Sequence, residues 1–298
     1  MVAYRLAQLT DLHTTPPRLR PSEWTPKRAL GLLSWHLKRR DEHRPEILAA
    51  AVADLRHEAA DHVAITGDLT NLGSAREIET ALGWLGALGG PAEVSLVPGN
   101  HDAYARSSEG PAGWRRWQAY MASDAGRGGA FPSVRLRGPL ALVGVCSVHP
   151  SPILQATGTV GQVQCAALEA TLAALGREGW CRVVLIHHPP VAADPRARRR
   201  LRDAEAVRRA IERGGAELVL HGHTHREHFA TLSGVGGPVP VVGARSSSAR
   251  GRKPGRAAQY HLYRFERREG ARARWRITLD VRAFDGGAFR DAGSRALA

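Results

Sequence analysis

The stretch LVLHGHTHREH, residues 218–228, joins a short apolar run to four histidines. An apolar run of this length that ends near a glycine is typical of a buried strand. The histidines have three interpretations: a histidine-rich surface tract, incidental residues at a strand end, or part of a metal site whose other ligands lie elsewhere. Four residues at this spacing cannot complete the coordination sphere of a metal ion, so the rest of the chain has to decide.

Six apolar runs have the length and composition of strands. They are residues 4–10, 62–67, 93–99, 140–146, 182–187 and 217–222. Helical patterns lie between them, at residues 45–60, 75–88, 160–175 and 204–214. Because strands alternate with helices, the sequence predicts an α/β fold.

Length and composition indicate one domain over residues 1–298, with 43% hydrophobic residues available for its core. We expect a helical insert at about residues 16–44. We also expect a β-rich part at about residues 236–298, where Gly- and Arg-rich turns predict an antiparallel end to the fold. There is no apolar run of membrane-spanning length and no apolar signal segment. Three widely spaced cysteines form no disulfide or zinc pattern, so we expect a cytoplasmic protein.

The net charge of +14 does not by itself identify a partner. Such charge can attract nucleic acid, anionic lipid or an anionic substrate. However, only three of the 42 basic residues are lysines, and this bias toward arginine, with much Ala and Gly, resembles a GC-rich coding sequence. Eight arginines lie in residues 194–215 without interleaved aromatic residues, which favours a solvated helix face over a nucleic-acid surface.

Side chains of the metal-binding type follow five of the six predicted strands. They are Asp11 and His13, then Asp68, then Asn100, His101 and Asp102, then His187 and His188, and finally His223 and His225. In open α/β sheets, sites form at the carboxyl ends of the strands, so we expect these clusters to meet in one crevice. Carboxylate, carboxamide and imidazole ligands suit Mn, Fe, Zn and similar ions.

Taken in order, these clusters resemble the calcineurin-like metallophosphoesterase superfamily. The matching motifs are Asp11-Leu12-His13, Gly67-Asp68, Gly99-Asn100-His101-Asp102, His187, and Gly222-His223-Thr224-His225. Each motif is weak alone, but five in family order, each at a strand end, are specific. The context GDLTNLGSAREIE, residues 67–79, and HHPP, residues 187–190, is most similar to the branch of class III cyclic-nucleotide phosphodiesterases.

The resemblance implies a four-layer α/β/β/α sandwich that holds two metal ions, with Mn, Fe, Zn and Co fitting about equally. The implied ligands are Asp11, His13 and His225 on the first ion, Asn100, His187 and His223 on the second, and Asp68 on both, with one oxygen on each. Two such ions turn water into hydroxide near neutral pH and clamp phosphate oxygens. His188 neighbours a ligand on a strand and should point the other way, as a buried or pocket-lining residue.

His101 and Asp102 are the implied catalytic pair. His101 would act as general acid toward the leaving group or stabilise phosphate charge, and Asp102 would fix its tautomer and orientation. The expected reaction is hydrolysis of a small anionic phosphodiester, such as a cyclic nucleotide or another nucleotide- or glycerol-type diester. A lipid-linked pyrophosphate or diester is the main alternative. A nuclease and a non-catalytic scaffold are less favoured, the scaffold because all seven ligand positions are kept.

The insert carries the segment EWTPKRALGLLSWHLKRRDEHRP, residues 23–45, in which Leu30, Leu33 and Leu37 share one helical face flanked by basic residues. One interpretation is an interfacial amphipathic helix that gates the site or contacts an anionic membrane through residues 24–40, at the inner membrane face. The other, which we favour, is a helix packed over the edge of the sandwich. Either way, its position directly after His13 predicts that it borders the substrate entrance.

Overall fold

The structure, a computed structural model, describes residues 3–13, 16–109, 113–194, 196–268 and 275–298. Its strands are β1 Tyr4–Leu9, β2 His62–Ile65, β3 Val94–Leu96, β4 Ser133–Arg137, β5 Leu140–Val145, β6 Cys181–Ile186, β7 Leu218–His221, β8 His228–Leu232, β9 Val239–Gly243, β10 Gln259–Arg267, β11 Trp275–Phe284 and β12 Phe289–Ala296. Its α-helices are α1 Pro26–Lys38, α2 Pro45–His57, α3 Ala75–Leu88, α4 Gln162–Arg177 and α5 Ala204–Gly214. Short 3₁₀ helices cover Pro21–Glu23, Arg106–Glu109, Trp114–Tyr120 and Ala197–Arg199.

Two six-stranded sheets form the centre of the fold. The first has the order β12-β11-β10-β1-β2-β3 and the second β4-β5-β6-β7-β9-β8. Strands β1, β2 and β3 are parallel, and so are β5, β6, β7 and β9. The carboxyl ends of the parallel strands therefore lie together at one edge of each sheet.

Side chains alternate between the two faces of each sheet and build three apolar layers. On β1, for example, Leu6 packs between the two sheets, whereas Ala7 faces the helices α2 and α3. Helices α4 and α5 cover the outer face of the second sheet. This helix–sheet–sheet–helix order confirms the predicted four-layer α/β/β/α sandwich.

The loop between β2 and α3 is fixed by the start of the helix. The hydroxyl of Ser74 accepts a hydrogen bond from the backbone N–H of Glu77, and the Glu77 carboxylate accepts one from the N–H of Ser74. The same buried carboxylate also accepts from the N–H groups of Asn71 and Leu72. The capping box thus holds the residues that immediately follow Asp68 in one conformation.

The end of the chain differs in part from the prediction. Strand β9 belongs to the second sheet, where it is parallel to β7 and antiparallel to β8, so the expected antiparallel end consists of β10, β11 and β12. Strands β4, β8 and β12 were not predicted. Only Phe289 of β12 is buried, because this strand lies at the edge of its sheet and lacks the apolar alternation that marks a half-covered strand.

Helix α1 packs on the body through its polar face. Its one buried residue is Arg28, whose guanidinium donates to the backbone carbonyls of Leu72 and Gly73 at 3.2 and 2.7 Å. A side chain at Gly31 would collide with the hydroxyl of Tyr104, so the glycine is what permits this close approach.

The leucine face of α1, formed by Leu30, Leu33 and Leu37, points to solvent with 49%, 56% and 70% of these residues exposed. The helix therefore lies on the sandwich as the favoured interpretation expected, but with the opposite face inward. Of the helices that the structure describes, none is long and apolar enough to cross a bilayer.

Candidate metal centre

The seven ligands implied by the sequence converge at the carboxyl ends of the parallel strands. They come from the loops after β1, β2, β3, β6 and β7, and they are Asp11, His13, Asp68, Asn100, His187, His223 and His225. All except His225 are buried, and His225 lies partly exposed at the rim. Residues up to 214 positions apart are thus brought into one pocket, and their hydrogen bonds divide them into two groups that meet at Asp68.

The first group contains Asp11, His13 and His225. Nδ1 of His13 lies 2.6 Å from the carbonyl oxygen of Thr70, which can only accept, so Nδ1 carries the proton and Nε2 keeps its lone pair. Oδ1 of Asp11 lies 3.2 Å from Nε2 of His225. Both Oδ1 of Asp11 and Nε2 of His13 are buried without a hydrogen-bond partner among the described residues. The contact between Asp11 and His225 is thus a close approach without hydrogen-bond geometry. Two acceptors without a hydrogen bond that face one space are the arrangement that a cation would stabilise.

The second group contains Asn100, His187 and His223. His187 donates from Nδ1 to the carbonyl of Thr66 at 2.7 Å, and His223 donates from Nε2 to the carbonyl of Arg199 at 2.8 Å. Their remaining nitrogens lie 3.3 Å apart, and each lies near Oδ1 of Asn100, at 3.1 and 2.8 Å. Ligand atoms about 3 Å apart fit around an ion whose bonds are about 2.0–2.2 Å long.

Asp68 lies between the two groups, and a single oxygen faces both. Its Oδ2 is 3.3 Å from Nε2 of His187 and 3.8 Å from Nε2 of His13. Its Oδ1 is occupied, because it accepts the backbone N–H of His101 at 2.7 Å. The expectation that each oxygen would serve a different ion does not match this geometry, in which Oδ2 alone is placed to be shared.

Asp68 and His187 stabilise each other's charged form. Burial alone would raise the pKa of Asp68, but His187 and His101 outweigh it and hold that pKa well below its ordinary value. Burial likewise opposes the charge of His187, yet Asp68 raises the pKa of His187 to about 9. Without metal, His187 is therefore a proton-bearing partner of Asp68, so metal binding at this position has to displace a proton.

The backbone at the site is strained. Asp11, His13, Asp68, His223 and His225 all have a positive φ, between 41° and 71°. Such conformations cost about 1–3 kcal/mol each for residues other than glycine and persist where the surroundings enforce them. Five of the seven such residues in the described chain belong to this pocket, so the strain is concentrated where the ligand atoms have to be aimed.

The contacts of His101 and Asp102 differ from the expected pair. His101 donates from Nδ1 to the carbonyl of Asn71 at 2.5 Å, and its Nε2 accepts from Nη1 of Arg39 at 3.0 Å. Asp102 is fully buried and accepts from the backbone N–H groups of Asp68, Thr70 and Gly99 at 2.9–3.0 Å.

The prediction that Asp102 orients the imidazole of His101 is therefore wrong. Asn71 orients the ring, and Asp102 fixes the loops that carry Asp68 and Asn100. Burial together with the charge of Asp68 raises the pKa of Asp102 to about 7.

His188 and His221 are buried behind the pocket. His188 lies against the ring of His223, at a centroid distance of 4.4 Å, and is held by the hydroxyl of Ser147 at 2.9 Å. His221 contacts the carbonyl of Gly222 at 3.1 Å. His188 thus points away from the space that His187 faces, as expected for neighbours on a strand.

Three cationic or imidazole side chains at the site were not identified in the sequence. Arg39 and His43 come from the insert and return to the pocket beside His101 and His13. Arg199 donates to the carbonyl of His223 at 2.9 Å and forms an ion pair with Asp194 at 3.2 Å. The signal that could have indicated the first two is the position of the insert, directly after the ligands Asp11 and His13.

A cleft of about 380 Å³ opens beside the second group. Helix α1 contributes Lys27, Trp35 and Lys38 to the lining, and Arg39, the residue after the helix, lines the cleft as well. The lining also includes Asn100 and His101, the arginines Arg196, Arg198 and Arg199, and the apolar Ile153 and Leu154. The lining therefore combines several basic side chains with exposed apolar ones.

A family model for calcineurin-like phosphoesterases matches residues 4–227 of the chain. A dimetal phosphatase from Danio rerio has a similar structure, with 13% identity, a TM-score of 0.60 and coverage of 97% of this chain and 98% of that one. Purple acid phosphatase PPD1 from yellow lupin (Lupinus luteus) seeds is also similar, with 13% identity and a TM-score of 0.60. The match covers 99% of this chain and 53% of that one.

The NAD nucleotidase of Haemophilus influenzae gives 13% identity and a TM-score of 0.52, covering 98% of this chain and 54% of that one. This chain therefore spans about half the length of the lupin and Haemophilus proteins. At these identities the likeness is one of fold. No curated protein sequence matches the chain.

Proposed function

The chain belongs to the calcineurin-like phosphoesterase family, and we propose that it hydrolyses a small phosphodiester at a centre of two metal ions. The observation that carries the proposal is the pair of buried acceptor atoms, Oδ1 of Asp11 and Nε2 of His13, that have no hydrogen-bond partner in the described chain. Leaving such a group unsatisfied costs about 1–3 kcal/mol, which a bound cation offsets.

We assign the ligands in two sets that share one atom. The first ion takes Asp11, His13 and His225, the second takes Asn100, His187 and His223, and Oδ2 of Asp68 serves both. These oxygen and imidazole donors suit Mn, Fe, Zn or Co. Two such ions would supply a nucleophile from water near neutral pH and neutralise charge on the phosphate oxygens.

Arg39 is the residue that we expect to bind the phosphate. Its guanidinium reaches the pocket beside His101, and no carboxylate of the described residues lies within ion-pair distance of it. Arg199, the neighbouring arginine, is by contrast paired with Asp194. A guanidinium that forms no ion pair with the described residues, set beside the ligand atoms, can donate two parallel hydrogen bonds to phosphate oxygens.

His101 has two expected roles, and its contacts favour the one in which it supports charge. While Nδ1 donates to Asn71 and Nε2 accepts from Arg39, the ring has no proton on Nε2 to give to a leaving group. We therefore propose that His101 positions Arg39 and thereby helps to stabilise the phosphate. Asp102 acts further back, by holding the loops of Asp68 and Asn100 in place.

The proposed substrate class is a cyclic nucleotide or another small nucleotide- or glycerol-type diester. The volume of the cleft, about 380 Å³, falls in the range of small-molecule sites. Its basic lining favours an anionic ligand, and the motif contexts at residues 67–79 and 187–190 resemble those of class III cyclic-nucleotide phosphodiesterases. All three cysteines are free thiols, which fits the reducing cytoplasm in which we place the enzyme.

A screen of metal-loaded protein tests the proposal. Protein reconstituted with Mn, Fe, Zn or Co is assayed on bis-nitrophenyl phosphate, cyclic nucleotides and glycerophosphodiesters. We expect turnover of the nitrophenyl diester and of at least one natural diester. Turnover that is absent with every metal, or restricted to phosphomonoesters, would contradict the proposal.

An amphiphilic substrate at an anionic membrane is the second candidate, favoured by the leucine face of α1. Leu30 and Leu154 both line the cleft and are 49% and 80% exposed. Because Lys27, Lys38 and Arg39 line the same cleft, this surface has the basic and apolar composition of an interfacial helix. In this case the substrate would be a lipid-linked pyrophosphate or diester, and the enzyme would lie on the inner face of the membrane.

A further inference from the structure

We propose that His43 is an additional protein ligand of the first metal ion, an inference that rests on the proposed dimetal function. His43 lies in the short segment between α1 and α2 and is only 8% exposed. Its ring centroid is 4.6 Å from that of His13 and 5.5 Å from that of His225. One nitrogen from each of these three rings lies within 4.8 Å of the others.

The hydrogen bonds of two serines fix the tautomer of His43. Nδ1 lies 3.1 Å from the hydroxyl of Ser248 and 3.3 Å from that of Ser246. Each hydroxyl has a single hydrogen, and both hydrogens are used: Ser248 donates to the carbonyl of Leu12 and Ser246 to the carbonyl of Asp11. Toward His43 the serines can therefore only accept, so Nδ1 carries the proton and Nε2 keeps the lone pair.

This arrangement repeats the one found at the implied ligands. His13 and His187 also donate from Nδ1 to a protein oxygen. Nε2 of His13 then has no hydrogen-bond partner among the described residues, and Nε2 of His187 faces Asp68 and Asn100 in the pocket. An imidazole whose second nitrogen is anchored in this way is oriented and made more basic as a ligand. The serines that anchor His43 also hold the backbone of Asp11 and Leu12, so ligand loop and imidazole form one unit.

The surroundings of His43 do not suit a histidine with only a packing role. Its ring faces the rings of His13 and His225 rather than an apolar layer, and one nitrogen of each ring belongs to the same small space. Lone pairs brought together in this way repel each other unless a cation lies between them. Buried imidazoles with one anchored nitrogen and converging free nitrogens are the pattern of a metal site.

A third histidine on the first ion would make the two ions unequal. The first ion would have five protein ligands, namely Asp11, His13, His43, His225 and the shared Asp68. The second would have four, namely Asn100, His187, His223 and Asp68. In a coordination sphere of about six, the first ion keeps one open position and the second keeps two, so a phosphate oxygen would be directed to the second ion, next to the cleft.

Cobalt-substituted protein provides a readout that does not depend on turnover. A histidine bound to high-spin Co²⁺ has a strongly shifted imidazole N–H proton resonance, and a histidine that is only nearby does not. The variant His43→Gln should lose one such resonance relative to wild type, and the affinity for one of the two cobalt ions should fall at least about tenfold. The matched control is His62→Gln, which replaces a buried histidine that contacts Ser95 at the other end of β2.

A second variant keeps the test decisive if His43→Gln does not fold. Ser248→Ala retains the imidazole but removes an acceptor of its Nδ1 proton, so one shifted resonance should move while the others stay. If all shifted resonances persist unchanged in the variants of a protein that binds two cobalt ions, this inference alone is overturned. If the wild type binds no cobalt, the proposed function is overturned with it.

Discussion

The guanidinium of Arg39 lies 3.0 Å from Nε2 of His101, although the two residues are 62 positions apart. Arg39 follows the last turn of α1, and His101 lies in the loop after β3. The helical insert therefore does more than border the site: it places a positive charge beside His101 at the candidate metal centre. Burial lowers the pKa of this arginine, as expected for a cation kept from solvent until an anion binds.

Removing this guanidinium should weaken turnover of anionic diesters. For Arg39→Ala we expect kcat/KM to fall about 10- to 100-fold, the range of a hydrogen bond to a charged group, about 1.5–3 kcal/mol. Arg39→Lys should recover only part of the loss, since an ammonium cannot donate two parallel hydrogen bonds. Steady-state kinetics of the metal-loaded enzyme measure the effect. The control is Arg40→Ala, whose exposed side chain pairs with Asp41; an equal loss there would remove the special role of Arg39.

The imidazole of His101 should act through Arg39. We expect His101→Ala to slow nitrophenyl diesters and diesters with poor leaving groups by similar factors, because the lost contact supports phosphate charge. The double variant with Arg39→Ala should lose little more than Arg39→Ala alone, since the two side chains act as one unit. A much larger loss on poor leaving groups would instead identify His101 as the general acid.

Asp68 should determine both metal content and stability. In Asp68→Asn we expect less than one tenth of wild-type turnover and loss of at least one metal ion, because Oδ2 faces both ligand groups. Metal at a hundredfold excess over Kd should increase the free energy of unfolding of the wild type by about 2.7 kcal/mol. The melting temperature should rise accordingly, and this rise should be smaller in the variant. Metal analysis and thermal unfolding measure the two effects, with the exposed Asp41→Asn as control. A variant that keeps both ions would contradict the shared role.

Much of the metal centre is predictable because a short local sequence pattern indicates where each strand ends. An apolar run followed by Asp68 or His187 places the side chain at a sheet edge, and parallel strands bring such edges together. Arg39 and His43 were missed because their approach depends on how the insert folds back over the sandwich, which no local pattern encodes. The leucines of α1 show the same limit: periodicity tells which residues share a helix face, but not which face packs inward.

His62 should make stability depend on pH independently of the metals. Burial, with the charges of Arg137 and Arg135, lowers the pKa of His62 from 6.5 to about 3. Between these values the unfolded chain binds more protons than the folded one, so stability falls as the pH decreases from 6.5 toward 3. At pH 5 the loss should be about 2 kcal/mol relative to pH 7.5. Urea unfolding of metal-free wild type and His62→Gln measures it: the pH-dependent loss should be smaller in the variant, whereas the exposed His57→Gln should behave like wild type.

Lipid binding by the leucine face of α1 distinguishes a substrate in solution from a substrate at a membrane. If the face binds lipid, wild type should sediment with anionic phosphatidylglycerol vesicles and not with neutral phosphatidylcholine vesicles. Replacing Leu33 and Leu37 by Glu should release it, since burying each leucine is worth about 1.5–3 kcal/mol and the new charges repel the surface. The control is Val163→Glu on α4, at a residue 87% exposed. Equal sedimentation of the double variant, or none of the wild type, would leave the soluble diester as the substrate class.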